Sequence, residues 1–239
     1  MKKLVYLIIL VMAYCGPVKG QVLIAIIFGD KLNTDKLEFG LVVSPSFTNI
    51  TNIESDHKNG LNLSLYFNIK ISDKFFIHPE AIAKGSFGAE GVLPYATGSD
   101  TLDAIFSEGS IQRKIKAFGL LMLGQYRITD KIFIEGGPQV NWMLKSKDTY
   151  ESTYNGNDLT YTVPISDQVA TFELGLTGGV GYRFRKEKSV SLTLRYFAGF
   201  TDIWKAAAGT QSNSAWTFNI GIPIGASAKT TPPKTQQAQ

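Results

Sequence analysis

"FGLLMLGQYRITDKIFIEGGPQVNWML", residues 118–144, decides the fold. From Ile132 onward one set of alternate positions reads Ile132, Ile134, Gly136, Pro138, Val140, Trp142 and Leu144. The interleaved set reads Phe133, Glu135, Gly137, Gln139, Asn141, Met143 and Lys145. A period of two is the signature of a strand with one apolar face. The phase survives the polar "TDK" at 129–131, because Tyr126 and Ile128 join the apolar set and Gln125 and Arg127 the polar one. "SDK" at 72–74 sits in the same setting, after Leu61, Leu63, Leu65, Phe67, Ile69 and Ile71 alternating with Asn62, Ser64, Tyr66, Asn68 and Lys70. Ser or Thr followed by Asp and Lys between two such runs reads as a tight hairpin turn.

Working outward, the pattern predicts eight strands, at about 37–47, 60–71, 75–85, 113–128, 132–145, 169–185, 190–200 and 215–224. Short links ("SDK", "TDK" and "KEKS") alternate with long ones at 48–59, 86–112, 146–168 and 201–214. All the short links then fall at one end of a meander and all the long ones at the other. That asymmetry belongs to an outer-membrane barrel, with short periplasmic turns and long external loops. The expected fold is therefore all-β, an eight-stranded antiparallel up-and-down transmembrane β-barrel. A soluble barrel of the same size would carry Lys and Glu on its polar face. Here that face is mostly Gly, Ser, Thr and Asn, and the bulky face carries Tyr, Phe and Trp towards the strand ends, as a lipid-facing band does.

The 239 residues allow one large domain. "MKK", the apolar "LVYLIILVMAYC" and "VKG" before Gln21 predict an export signal over 1–20. Cys15 is the sole cysteine and follows Tyr14 rather than the small residue a lipoprotein signal needs, so the exported chain is expected to fold without disulfides. The net charge of +4 includes Lys2, Lys3 and Lys19, which leave the remainder close to neutral and exclude nucleic acid as an expected partner. Residues 21–36 are expected to form an N-terminal periplasmic segment, 37–225 the barrel, and "ASAKTTPPKTQQAQ" at 226–239 a disordered tail.

With the apolar face turned to lipid, Glu38, Glu80, Glu135 and Glu173 share the lumen with Lys70, Arg127, Arg183 and Arg195. An eight-stranded lumen is only wide enough to be filled by side chains. These eight are expected to pair as a structural charge network, since a lone charge there would be costly. A polar pathway that opens when the network rearranges is the alternative. Catalytic groups are sparse. His57 lies in the first long link and His78 near the short-turn end of strand three, too far apart to share a metal or a triad. His57 with Asp56 and Glu54 is the one conceivable catalytic nucleus, and it lacks a nucleophile. "GLTGGVG" at 175–181 lies within a strand, so its glycines are read as making room in a narrow lumen, not as a phosphate loop. The acidic residues of the long links (Glu90, Asp100, Asp103, Glu108, Asp148, Glu151 and Asp158) match no calcium-loop spacing and are expected to be solvated. Tyr150, Tyr154 and Tyr161 would form either an adhesive surface or an extension of the aromatic girdle. No cofactor or metal is expected.

At "FGDKLNTDKLEFG" (28–40), "SDKF" (72–75), "PEAIAKG" (79–85) and "TDKI" (129–132), the chain resembles the PorT-like outer-membrane β-barrel proteins of Bacteroidetes-type bacteria, over residues 21–225. The resemblance implies an OmpA-like eight-stranded barrel in the outer membrane of a Gram-negative bacterium. The namesake's link to secretion and gliding has no counterpart among the residues here. The last strand ends in a polar tail instead of a terminal aromatic, which leaves Trp216 and Phe218 as candidates for the assembly signal. The expected function is a non-catalytic structural or interaction role at the cell envelope, with outer-membrane lipid as one partner and a protein, met through the external loops or the periplasmic side, as a second candidate. A gated small-solute pore is the alternative, and a membrane-embedded enzyme the third class.

Overall fold

The computed structural model describes residues 34, 36–186, 188–205 and 209–224. The expected export signal and the tail at 226–239 lie outside the described residues, as does nearly all of the segment at 21–36. The described residues form nine strands and one short helix: β1 (Leu37–Ile50), β2 (Asp56–Lys70), β3 (Phe75–Val92), α1 (Asp100–Phe106), β4 (Ser110–Arg127), β5 (Ile132–Tyr154), β6 (Asn157–Pro164), β7 (Phe172–Arg183), β8 (Ser191–Gly199) and β9 (Asn213–Pro223). Eight of them, all but β6, pair antiparallel with their neighbours in chain order, and β1 pairs with β9 to close the ring.

The two similar turns have the same construction. The amides of Ile71 and Ser72 donate to the Phe75 carbonyl, and those of Ile128 and Thr129 to the Ile132 carbonyl. The hydroxyl of Ser72 accepts from the Phe75 amide at 3.1 Å, and that of Thr129 from the Ile132 amide at 2.9 Å. Sequence similarity here reflects one turn geometry used twice at one rim.

The apolar faces point outward. Leu61, Leu120, Met122, Ile134, Trp142, Leu174, Val180 and Phe218 are all exposed on the outer wall, while the residues between them are buried. Between Ile132 and Trp142 the outer face of β5 covers about 23 Å of membrane normal, at ~3.3 Å per residue and 45° tilt. Phe118, Trp142 and Phe172 are neighbours at the upper edge of this band, with Trp142 and Phe172 rings 4.6 Å apart. Tyr196 and Trp216 continue it at 4.8 Å. Phe75, Tyr126 and Tyr182 mark the edge near the short turns.

The long-loop end departs from expectation in three places. β1 and β2 extend to a link of only 51–55, and β3 and β4 continue well into the segment expected to be loop. The segment 146–168 is not irregular. β5 runs on to Tyr154 and β6 returns beside it, turning on Asn155 and Gly156 with φ of 50° and 76°. Two successive positive φ values make the hairpin turn that Asn-Gly favours. Finally, a bulge places Ala117 opposite Met143 and Lys116 opposite Lys145, leaving Leu144 as the extra residue. Lys145 therefore faces outward, not into the lumen as unbroken alternation from Met143 would have it.

Candidate functional site: the filled lumen and its external cap

The lumen has two chemically different halves. Nearer the short turns it is ionic. Arg195 on β8 reaches across the ring to β3 and β5: its Nη1 donates to Glu80 Oε2 at 2.6 Å and its Nε to Glu135 Oε1 at 2.5 Å. Ser64 donates to the other Glu80 oxygen at 2.5 Å, and Gln125 to Glu135 Oε2 at 3.2 Å. Below this, Arg183 on β7 crosses to Glu38 on β1 at 2.5 Å, and Glu38 also accepts from Tyr66 and Asn68. His78 joins the two levels. Its Nδ1 is 2.6 Å from Asn68 Oδ1, its Nε2 3.1 Å from Glu80, and its ring stacks on Tyr66 at 5.1 Å. Each carboxylate therefore meets a guanidinium and further donors, the condition under which buried charge is tolerated.

The inward glycines of β7 admit these groups. A Cβ on Gly179 would meet the Arg195 side chain, one on Gly181 the Phe133 ring, and one on Gly175 the Phe197 ring. This is the spatial role read from "GLTGGVG".

Three of the eight luminal candidates depart from mutual pairing. Lys70 sits at the rim and pairs with Asp73 of its own turn at 2.8 Å, three positions on across the bend. Arg127 lies over the Phe76 ring at 3.8 Å and donates to the Lys186 carbonyl. Glu173 meets amides instead of a base: Asn213 donates through its backbone N at 2.6 Å and through Nδ2 at 3.0 Å, and Asn141 through Nδ2 at 3.3 Å. Thr177 and Gln139 extend that chain inward.

Beyond Glu173 the filling is mainly apolar. Ile50, Phe87, Ile111, Ile115, Met143, Val169, Phe197, Ile203 and Trp204 pack into one cluster that also takes in Phe106 of α1 and Tyr150 of β5. Voids among the luminal side chains measure about 10 and 30 Å³, room for about one water each.

One ion pair at this end escapes sequence reading. Arg113 donates through Nε at 2.9 Å and Nη2 at 2.7 Å to the two oxygens of Asp148, lies 3.8 Å over the Trp204 ring, and is buried with its partner. Tyr95 donates to the same carboxylate at 3.0 Å. Asp148 is therefore buried, contrary to the expectation that the acidic residues of the long links are solvated. Tyr150 is buried against Tyr95 and Phe106, while Tyr154 and Tyr161 are exposed. Asp103 accepts from the amide and hydroxyl of Thr97, both at 2.7 Å, which fixes the entry to α1 and holds its pKa below the usual carboxylate value. His57 is exposed at the mouth and His78 buried near the other end. Among the described residues no three His, Cys, Asp or Glu gather as metal ligands would.

The attachment invasion locus protein Ail of Yersinia pestis aligns at 10% identity and a TM-score of 0.43, covering 79% of this chain and 98% of its own. Neisserial surface protein A aligns at 10% identity and a TM-score of 0.40, covering 79% and 97%. OprG of Pseudomonas aeruginosa aligns at 14% identity and a TM-score of 0.30, covering 77% and 91%. No curated protein matches the sequence. A family model described as an outer membrane protein beta-barrel domain matches residues 31–205. The chain belongs to that family of outer-membrane β-barrels, and its place is the outer membrane of a Gram-negative bacterium.

Proposed function

We propose that this protein is a non-catalytic, non-conducting barrel that presents an ordered external platform to a partner at the cell surface. The observation that carries the reading is the filled lumen. Arg195 ties three strands together in the lower half, and Phe87, Ile115, Met143 and Phe197 fill the upper half. The charge network of Glu38, Glu80, Glu135, Arg183 and Arg195 serves to hold the barrel shut. Residues 1–20 act as the export signal, and the resemblance to PorT-like barrels is one of shape.

The platform consists of the β5–β6 hairpin, α1 and the 93–99 strap, anchored through Arg113, Asp148 and Tyr95. Ordering such a surface in advance lowers the entropy cost of binding, and its exposed tyrosines, Tyr154 and Tyr161, are of the type favoured at interfaces. A photo-crosslinking residue at Tyr161 in intact cells should yield one discrete protein adduct, and the same residue at Leu174 on the lipid-facing wall should not. Equal, diffuse labelling from both positions would defeat the proposal.

A gated pore is the second reading. The observation favouring it is that Arg195 serves two carboxylates at once, so its release from either would open the lower half. The apolar upper cluster has no such alternative partners and stays closed.

A further inference from the structure

The bulge at Leu144 has an effect on the outer wall. It brings Lys145 and Lys147 onto the outside of β5, directly across from Lys116 and Lys114 of β4. Lys116, Lys145 and Lys147 are exposed and Lys114 is half-buried. Like charges placed opposite each other across a strand pair destabilise it, and here two such pairs are stacked. None of the four forms an ion pair among the described residues. Of the nearby acids, Asp148 points inward to Arg113, Glu90 accepts from Gln112, and the exposed Glu151, four residues beyond Lys147, forms no ion pair with any of the four. Lys84 of β3, exposed at a second bulge opposite Leu63, adds a fifth ammonium to this side.

Height identifies what offsets this charge. Phe118 and Trp142, facing each other, mark the upper edge of the apolar band. Lys116 lies two residues beyond Phe118 and Lys114 four, which is about 5 and 9 Å further along the membrane normal at 45° tilt. The polar headgroup layer extends roughly 5–7 Å beyond the hydrocarbon edge. Lys116 and Lys145 therefore start within the layer that holds the outer-leaflet phosphates, and Lys114 and Lys147, just above it, reach it with their flexible stems on the wall that faces lipid. We propose that Lys114, Lys116, Lys145 and Lys147 form a binding site for the phosphate groups of an outer-leaflet lipid. The acyl chains of that lipid lie along the apolar band below, over Leu120, Met122 and Val140. Lysine suits the site because it acts as a compact point charge on a flexible stem and needs no fixed fork geometry.

The test uses the full chain purified in a neutral detergent. The probes are a bis-phosphorylated acylated glucosamine lipid, its dephosphorylated form, and inorganic phosphate at matched phosphate concentration. Retention is read by native mass spectrometry, and stability by the temperature at which the folded band is lost on electrophoresis. The phosphorylated lipid should be retained and should raise the midpoint by about 4 °C or more, and the other two probes should do neither. Each Lys→Gln change should weaken retention roughly fivefold, and the quadruple Lys→Gln protein in detergent alone should melt no lower than the wild type, because repulsion has been removed. Equal retention by the quadruple variant, or equal retention of the dephosphorylated lipid, overturns the proposal. A midpoint rise with inorganic phosphate as large as with the lipid also overturns it, leaving a simple anion site. Should the quadruple variant not fold, raising salt to about 0.5 M on the wild type decides, since screening must release a headgroup held by surface charge and unchanged retention would refute it.

Discussion

Arg195 is the residue on which the lower lumen depends, because removing it strands Glu80 and Glu135 together in a buried site. Arg195→Met should cost about 3–5 kcal/mol in urea unfolding from lipid vesicles. Adding Glu80→Gln and Glu135→Gln should restore most of that loss, since the uncompensated charge and not the missing contact is the penalty. If the triple variant is no more stable than the single one, the charge argument fails. A second residue-scale test concerns room. The Cβ of any residue at 181 would meet the ring of Phe133 first, so Gly181→Val should destabilise by about 1–3 kcal/mol through overpacking. Phe133→Ala in the same chain should recover part of it, and the coupling is measured by a double-mutant cycle. Tyr95 lies outside the membrane band, and burial, followed by the charge of Asp148, pushes its phenol pKa well above the ordinary value. A raised folded pKa means that its contribution is fully present below the unfolded value near pH 10 and is lost only as pH rises through the higher folded one. An ultraviolet titration should therefore show one tyrosine fewer ionising by about pH 11 than in Tyr95→Phe plus one free tyrosine.

At the scale of elements, the β5–β6 hairpin and α1 form a unit tied to the barrel wall by Arg113 and Asp148. Asp148→Ala leaves the Arg113 guanidinium buried with only the Trp204 ring, and it also deprives the Tyr95 hydroxyl of its acceptor. Protease added to intact cells should then cleave between 144 and 168 while the membrane band stays protected; cleavage at the wild-type rate would show that the hairpin is held by other contacts. These elements were also the ones least legible in sequence. The eight wall strands could be read because lipid outside and packing inside enforce a strict period of two, clearest in Leu61–Ile71 and Phe172–Phe184. The hairpin was hidden by composition, since "TYNGNDLTY" is polar enough to pass for a loop, although Asn-Gly between Thr and Tyr runs is a hairpin signal. The Leu144 bulge left no trace, because a leucine and a lysine fit either phase at a membrane rim. Leu121 and Leu123, which pack with Ile82 beside Glu80 and His78 in the ionic half, gave no warning of facing inward, since "LLML" puts leucine and methionine on both faces. Arg113 could have been found by carrying the inward phase of Gln125 and Arg127 back along β4. The offset partners of Glu173 could not, because an amide from β9 enters its site only once the ring has closed.

For the whole molecule, ring closure determines whether the two ends can communicate. Every strand of the wall is paired on both edges, so the lumen can open only by side-chain movement and not by widening of the sheet. In the lower half such movement means that Arg195 releases one of its two carboxylates, which leaves that group buried without its guanidinium. In the upper half Phe87 and Phe197 pack at 5.6 Å among aliphatic neighbours, and opening would require exposing that cluster to water. The purified barrel in planar bilayers should therefore show no stable open level over the range of applied voltages. Arg195→Ala alone should not change this, because the apolar cluster remains. Phe87→Ala with Phe197→Ala alone should also stay closed, held by the ionic layer below. Only the combination removes both barriers in series, and it should give small, flickering conductance. A wild-type barrel that conducts steadily, or an Arg195→Ala barrel that conducts as well as the combined variant, would mean that the apolar cluster is not a barrier and that the pore reading is the correct one.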